Sequence, residues 1–329
     1  GAAGLRAELK LPAIIGDHMV LQQQQANPIW GWETPGTTVT VTFGGQTLTT
    51  KAGADGRWSV KLAATPANAQ PQTLVIAASS RREIQDVLVG EVWMCSGQSN
   101  MEWSVAQADR AAEEAAWNGD LEAAASNLPN LRLIKVPQVG TQEPQTDFKG
   151  QWRASTPESA RSFSAVGFLY GRYLHQILGV PVGLIDNAWG GSAAEAWMRR
   201  STLENDPRFA LLMQNTVKRE ADLTSEKSKS DHAAAMEKWK KDSAKAKAEK
   251  KPEPRAPQSP QQWLTGNARP GNIFNGIVYP TLGYGIKGVI WYQGESNAGR
   301  AYEHGELFPF LIEQWRKEWG QGDFSFYWV

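Results

Sequence analysis

Three apolar runs, each stopping abruptly in small polar residues, limit what this chain can fold into more than any other feature. The first, Val87 to Cys95, ends in Ser96-Gly97-Gln98-Ser99-Asn100. The second, Val180 to Ile185, ends in Asp186-Asn187-Ala188-Trp189-Gly190-Gly191-Ser192, and the third, Gly288 to Tyr292, in Gln293-Gly294-Glu295-Ser296-Asn297. Short continuous apolar runs without alternation read as strands buried on both faces, the strands of a parallel sheet. Ligands of open α/β sheets bind at the carboxyl edge, where all three polar clusters would converge. Ser99 stands on the first of these turns, just before a helical pattern, so backbone N–H groups can point at an anion formed beside it. The logic is that of a nucleophile elbow, although the sequence is not G-x-S-x-G. Paired glycines in the second cluster add free backbone donors, and the third adds a side-chain amide. Together these are the parts that hold a tetrahedral oxyanion.

The segment before Val87 has a different texture. Thr38-Val39-Thr40-Val41-Thr42-Phe43 and Trp58-Ser59-Val60-Lys61-Leu62 alternate, and Pro35-Gly36, Gly44-Gly45 and Asp55-Gly56 supply turns. Residues 1–86 are therefore expected to form a small all-β sandwich, and 87–329 an α/β domain. Within the latter, Ala108 to Ala125 has helix-forming composition. Val166, Leu169, Tyr170, Tyr173, Leu174, Ile177 and Leu178 recur at helical spacing, with Ser162 or Ser164 as cap, and Tyr302 to Trp319 is amphipathic. Residues 218–262 break the pattern. Lys, Glu and Ala dominate to Lys251, and PEPRAPQSP follows, so an exposed helical insertion with an extended Pro-rich connector is expected.

Charge narrows the partners. With 34 basic and 34 acidic residues, formal net charge is +0, which removes the electrostatic case for nucleic acid or an anionic membrane as the main partner. No apolar run reaches the roughly 20 residues of a membrane span. Cys95 is the only cysteine, so neither an internal disulfide nor a Cys-rich metal site is expected. At the end of an apolar strand Cys95 reads as a small buried hydrophobe more than as a rival nucleophile. Most of the 15 tryptophans are expected to fill a core, and the flat apolar face with one N–H donor that the rest would offer suits sugar rings.

At the three clusters, SGQSNMEW, NAWGGSAAEAW and WYQGESNA resemble the sialate O-acetylesterase family of SGNH-type hydrolases. The resemblance extends over essentially the whole chain. It implies a flavodoxin-like, three-layer α/β/α hydrolase domain that removes acetyl groups from sugar hydroxyls with no metal or organic cofactor. By position, Ser99 corresponds to the nucleophile and its N–H to one oxyanion donor. Gly190 or Gly191 corresponds to the glycine donor, and Gln293 to the residue whose side-chain amide completes the hole. Gln98, Asn100, Glu295 and Asn297 are expected to organise these groups from behind.

The chain departs from the family's pattern in one respect. The family's general base is a histidine in a late Asp/His block, and no such block occurs here. His18 reads as a loop residue, His175 as a helix residue, His232 as part of the insertion, and His304 follows the third motif too closely. The base and its carboxylate are expected on a segment outside this sequence, such as a second polypeptide. The substrate class expected is an acetylated carbohydrate, either sialate or a plant polysaccharide such as xyloglucan or xylan, met outside the cytoplasm after signal removal. Two rivals stand beside the esterase: a carbohydrate-binding protein on an inactive hydrolase fold, and a scaffold whose insertion recruits partners.

Overall fold

The computed structural model describes residues 8–111 and 119–329. In chain order the strands are β1 (Val20–Gln22), β2 (Asn27–Trp32), β3 (Thr38–Phe43), β4 (Gln46–Lys51), β5 (Arg57–Leu62), β6 (Asn68–Ala77), β7 (Arg81–Gly97), β8 (Leu128–Lys135), β9 (Arg153–Ser155), β10 (Val182–Asp186), β11 (Gly288–Tyr292) and β12 (Ser325–Trp328). The helices are α1 (Ser99–Glu102), α2 (Val105–Ala111), α3 (Gly119–Ala124), α4 (Pro157–Arg161), α5 (Ala165–Leu178), α6 (Arg200–Glu204), α7 (Ala210–Thr224), α8 (Glu226–Ala248), α9 (Pro260–Leu264) and α10 (Ala301–Trp319). The middle of the Ala108–Ala125 stretch, residues 112–118, lies outside the described residues.

β7 is the axis. Its second half runs parallel to β10, with Val182 opposite Glu91 and Asp186 opposite Cys95, and to β11, with Gly288 opposite Trp93 and Tyr292 opposite Gly97. β8 and β12 extend the parallel sheet outward, and β9 adds an antiparallel edge. The three apolar runs are thus adjacent parallel strands. They are continuous in sequence because alternate residues enter different cores. Val92 and Met94 join Ile185, Val289 and Trp291, while Trp93 and Cys95 join Leu184, Ile290 and Phe168 of α5. Burying each such large side chain is worth roughly 1.5–3 kcal/mol, so both faces stabilise the sheet.

The first half of β7 pairs antiparallel with β6, which continues through β3 to β4, while β2 and β5 form a separate pair. The point between Asp86 and Val87, where the sequence changes character, falls inside this one strand. Asp86 has φ 55, and the β6 pairing shifts register there, so the transition is a bulge. Arg132 of β8 donates to the Asp86 carboxylate (3.0 Å) and to its carbonyl (3.2 Å), and His18 Nδ1 lies 2.7 Å from the same carboxylate.

Two helices fix the layers around the axis. Ser164, not Ser162, caps α5 by accepting the Gly167 N–H at 3.0 Å, and Gly179 in the left-handed conformation ends it. α10 sets Trp315 against Trp197 and Trp291, so these three tryptophans are core. In the insertion, α8 is a solvated helix with ion pairs such as Lys227–Asp231 at i,i+4 spacing. Trp239 Nε1 ties it to the Pro254 carbonyl of the extended connector at 2.8 Å.

Candidate active site

At the end of β7, Gly97 adopts φ 139, and a Cβ there would lie 2.2 Å from the Tyr292 carbonyl oxygen. Only glycine lets the first turn lie so close to β11. The Gln98 N–H donates to that same carbonyl at 2.8 Å, and α1 starts at once with Ser99. The Ser99 side chain is half-buried, and its hydroxyl has no hydrogen-bond partner among the described residues, nor has its N–H at the helix start.

The second cluster reaches the same place. The Trp189 N–H donates to the Gly97 carbonyl at 2.9 Å, so the glycine block is pinned to the serine turn. A Cβ on Gly190 would lie 3.6 Å from both Cα and Cβ of Ser99, whereas one on Gly191 would meet Asn267. Gly190 is therefore the glycine beside Ser99. Its N–H is engaged by Glu102 Oε2, and the other Glu102 oxygen accepts from Gln138 Nε2 at 2.7 Å. The Gly191 N–H has no partner among the described residues.

The third cluster closes the site through a hydrogen-bond relay. Glu195, buried, accepts from Asn297 Nδ2 at 2.9 Å. That fixes the amide, so Asn297 Oδ1 accepts from the Ala194 N–H (2.9 Å) and from Gln293 Nε2 (2.7 Å). Gln293 gives its second hydrogen to the Ser192 carbonyl at 3.1 Å, leaving its own Oε1 buried without a partner. Arg300 closes the acidic end, 2.6 Å from Glu195 and paired also with Glu303. Gln98 Oε1 accepts from the Gly294 (3.2 Å) and Ser296 (3.4 Å) N–H groups, and Asn100 donates to Glu295 at 2.9 Å. All four residues expected to organise the site thus link its loops.

Sequence reasoning missed Glu102, Glu195, Asn267 and Arg300. Glu102 and Glu195 stood inside the quoted motifs, and an acidic residue in a run of small and apolar neighbours demands a partner. Beneath the site Asp186, completely buried, has its carboxyl pushed up to about 6 by burial, against the opposing pull of Lys135 at 3.5 Å and the Ala188 N–H. Burial also pushes the Cys95 thiol well up, with the Asp186 charge adding to it, so it stays protonated and is a poor nucleophile. No histidine hydrogen-bonds Ser99 among the described residues. His175 Nδ1 contacts the Val180 carbonyl at 2.6 Å, and His304 stacks on Phe308 with Nδ1 buried and unpartnered. Among the described residues there is no metal-binding cluster and no helix long and apolar enough to cross a membrane.

No protein-family model matches the chain. It is similar to the sialate O-acetylesterase of Mus musculus, 31% identical over 333 residues that cover 95% of this chain and 57% of the relative. The corresponding Homo sapiens protein is 28% identical, with 95% and 54% covered. Among solved structures, a carbohydrate acetylesterase from Xanthomonas citri superposes with a TM-score of 0.73 at 32% identity, over 98% of this chain and 60% of that one. The chain spans little more than half the length of the curated relatives it matches. The resemblance seen in the three motifs therefore extends along nearly all of it.

Proposed function

We propose that this chain, a relative of the sialate O-acetylesterases, carries the nucleophile and oxyanion donors of a carbohydrate O-acetylesterase on an SGNH-like three-layer α/β/α domain. Residues 1–86 are its β-sandwich companion and 87–329 the hydrolase portion. Ser99 Oγ attacks the acetyl carbonyl as its proton passes to an imidazole supplied from outside these residues, on a continuation of the chain or a second polypeptide. The developing oxyanion is held by the Ser99 N–H, by the Gly190–Gly191 block and by Gln293. Collapse expels the sugar hydroxyl, and water then releases acetate from the acetyl-enzyme. The observation that carries this reading is the convergence on one turn. Gly190 stands beside Ser99, and the Ser99 hydroxyl, the Ser99 N–H and the Gly191 N–H have no partner among the described residues. No step calls on a metal or organic cofactor, and the site of action is extracytoplasmic, where O-acetylated glycans lie.

Acetate release from an O-acetylated oligosaccharide, compared between the full-length protein and its Ser99→Ala variant, tests this directly. The variant should lose roughly a thousandfold or more in kcat. Undiminished release would remove Ser99 from the chemistry. A second reading, a carbohydrate-binding protein on an inactive hydrolase fold, is favoured by one observation. Each of the four histidines is placed away from the Ser99 hydroxyl by its own contacts or element. It predicts sugar binding with no acetate released by the wild type.

A further inference from the structure

A cleft of about 830 Å³ opens beside the candidate site. Gly191 and Ser296, from the two loops that meet at Ser99, line one side. Asn215 and Arg219 of α7 and Trp263 of α9 line the other. The Arg219 guanidinium lies over the Trp263 ring at 4.5 Å. The residues at the two ends of the solvated insertion thus form a wall of the cleft.

That wall is tied to the catalytic loops. Glu220, next to Arg219, is gripped by Arg200 at 2.5 Å and Arg269 at 2.7 Å, and Arg269 also donates to the Leu264 carbonyl at 3.0 Å. Between Trp263 and Arg269, Asn267 donates its side-chain amide to the Gly190 carbonyl, while its own carbonyl accepts the Ala193 N–H at 3.2 Å. Trp263 therefore holds a set position relative to the glycine beside Ser99, as a preorganised subsite requires.

The chemistry of the lining selects a ligand class. Its charged groups balance: Arg300 is neutralised by Glu195 and Glu303, and Arg219 is the remaining cation, stacked on an aromatic ring. A site built to capture an anion would present converging, uncompensated cations. Trp263 offers apolar ring surface with Arg219 laid over one face, and Asn215 and Arg219 offer donors, a combination that suits a pyranose with apolar faces and hydroxyl edges. We propose that this cleft binds the neutral glycosyl residues attached to the acetylated unit against the stacked Trp263–Arg219 pair, with Arg219 as hydroxyl donor. The proposal rests on the esterase reading for its orientation relative to Ser99 and extends that reading to a neutral oligosaccharide instead of a lone acidic sugar.

Isothermal titration of the full-length protein with xylohexaose, a neutral oligosaccharide without acetyl groups, tests it. Binding should weaken at least about tenfold in Trp263→Ala, recover in Trp263→Phe, and weaken by a few-fold in Arg219→Ala. N-acetylneuraminic acid, titrated in parallel, should bind more weakly than xylohexaose. Binding that Trp263→Ala leaves intact, failure of Trp263→Phe to restore it, absence of binding by the wild type, or tighter binding of the acidic sugar each overturns the proposal. Its failure is separable from failure of the esterase reading. Acetate release that survives Ser99→Ala refutes the chemistry whatever the titration shows.

Discussion

Asn297→Asp probes the relay behind Gln293 with almost no change of shape. Asn297 is 1% exposed, and its Nδ2 lies 2.9 Å from a Glu195 oxygen. The substitution replaces that donor with an oxygen, so two carboxylates face each other across the same distance. A hydrogen bond to a charged group, worth about 1.5–3 kcal/mol, is lost. At an effective dielectric near 20 the repulsion between full charges at such a distance would be about 6 kcal/mol, so the pair relieves it by keeping a proton. If its upper pKa rises by about 3 units, the deficit at alkaline pH is about 4 kcal/mol. The sign follows from linkage: a carboxyl with a raised folded-state pKa contributes most at low pH and loses that contribution as pH rises. Once protonated, the introduced carboxyl donates to Glu195 where the amide did. Urea unfolding of variant and wild type at pH 5 and pH 8 measures this. The deficit should be several kcal/mol at pH 8 and should shrink by up to about 1.4 kcal/mol per unit on acidification. Equal deficits at the two pH values, or none at either, would refute the relay.

Two further substitutions test the frame beneath the site. Asp186, raised from an ordinary 3.8 to about 6 mainly by burial, favours its protonated form in the fold. Its contribution is complete below pH 4 and is lost as pH rises through 6, on the order of 3 kcal/mol. The stability difference between wild type and Asp186→Asn should therefore change across pH 4–7 and be flat above it, as denaturant unfolding at each pH will show. Gly97→Ala should destabilise by more than about 3 kcal/mol, because φ 139 is strained for alanine and its Cβ would meet the Tyr292 carbonyl oxygen at 2.2 Å. Thermal unfolding reads this, and an unchanged midpoint would mean that β7 and β11 do not approach as described.

The central strands were legible because burial on both faces leaves an uninterrupted apolar signature, which β7, β10 and β11 all carry. α10 was legible for a related reason: Leu311, Trp315 and Trp319 repeat along one buried stripe, and Pro309 within the helix does not break it. What escaped was the continuity of β7. Residues 81–86 are largely exposed and polar, and residues 87–97 are buried, so one strand reads as two kinds of segment. The π-helix at Phe274–Val278 had no sequence signal, since all five of its residues, Asn275 and Gly276 included, are buried and so short a run has no period to read. In the site, the motifs marked which residues gather, but hydrogen-bond direction depends on partners far apart in sequence. Asn297 and Glu195 are 102 residues apart, and only their contact decides which end of the Gln293 amide faces inward.

Under the proposed esterase reading, that direction bears on how the candidate oxyanion donors are held before substrate arrives. Buried donors are seldom left unpaired, so an oxyanion hole must either hold water or lend its N–H groups to resident acceptors. Here the Gly190 N–H is lent to Glu102, and Gln293 divides its two hydrogens between Asn297 at 2.7 Å and the Ser192 carbonyl at 3.1 Å. The shorter bond belongs to the relay anchored on Glu195 and sets the orientation of the amide. The longer one goes to a neutral carbonyl, which an oxyanion outcompetes because bonds to ionised acceptors are roughly twice as strong. On the proposed esterase reading, Gln293 would turn that hydrogen to the reacting oxygen without losing its anchor on Asn297. Glu102 is a different matter, since a carboxylate is itself a strong acceptor. Under the proposed esterase reading, the Gly190 N–H would be free for a reacting oxygen only once Glu102 has moved, and the Gln138 bond to the other Glu102 oxygen at 2.7 Å helps fix the carboxylate where it now sits.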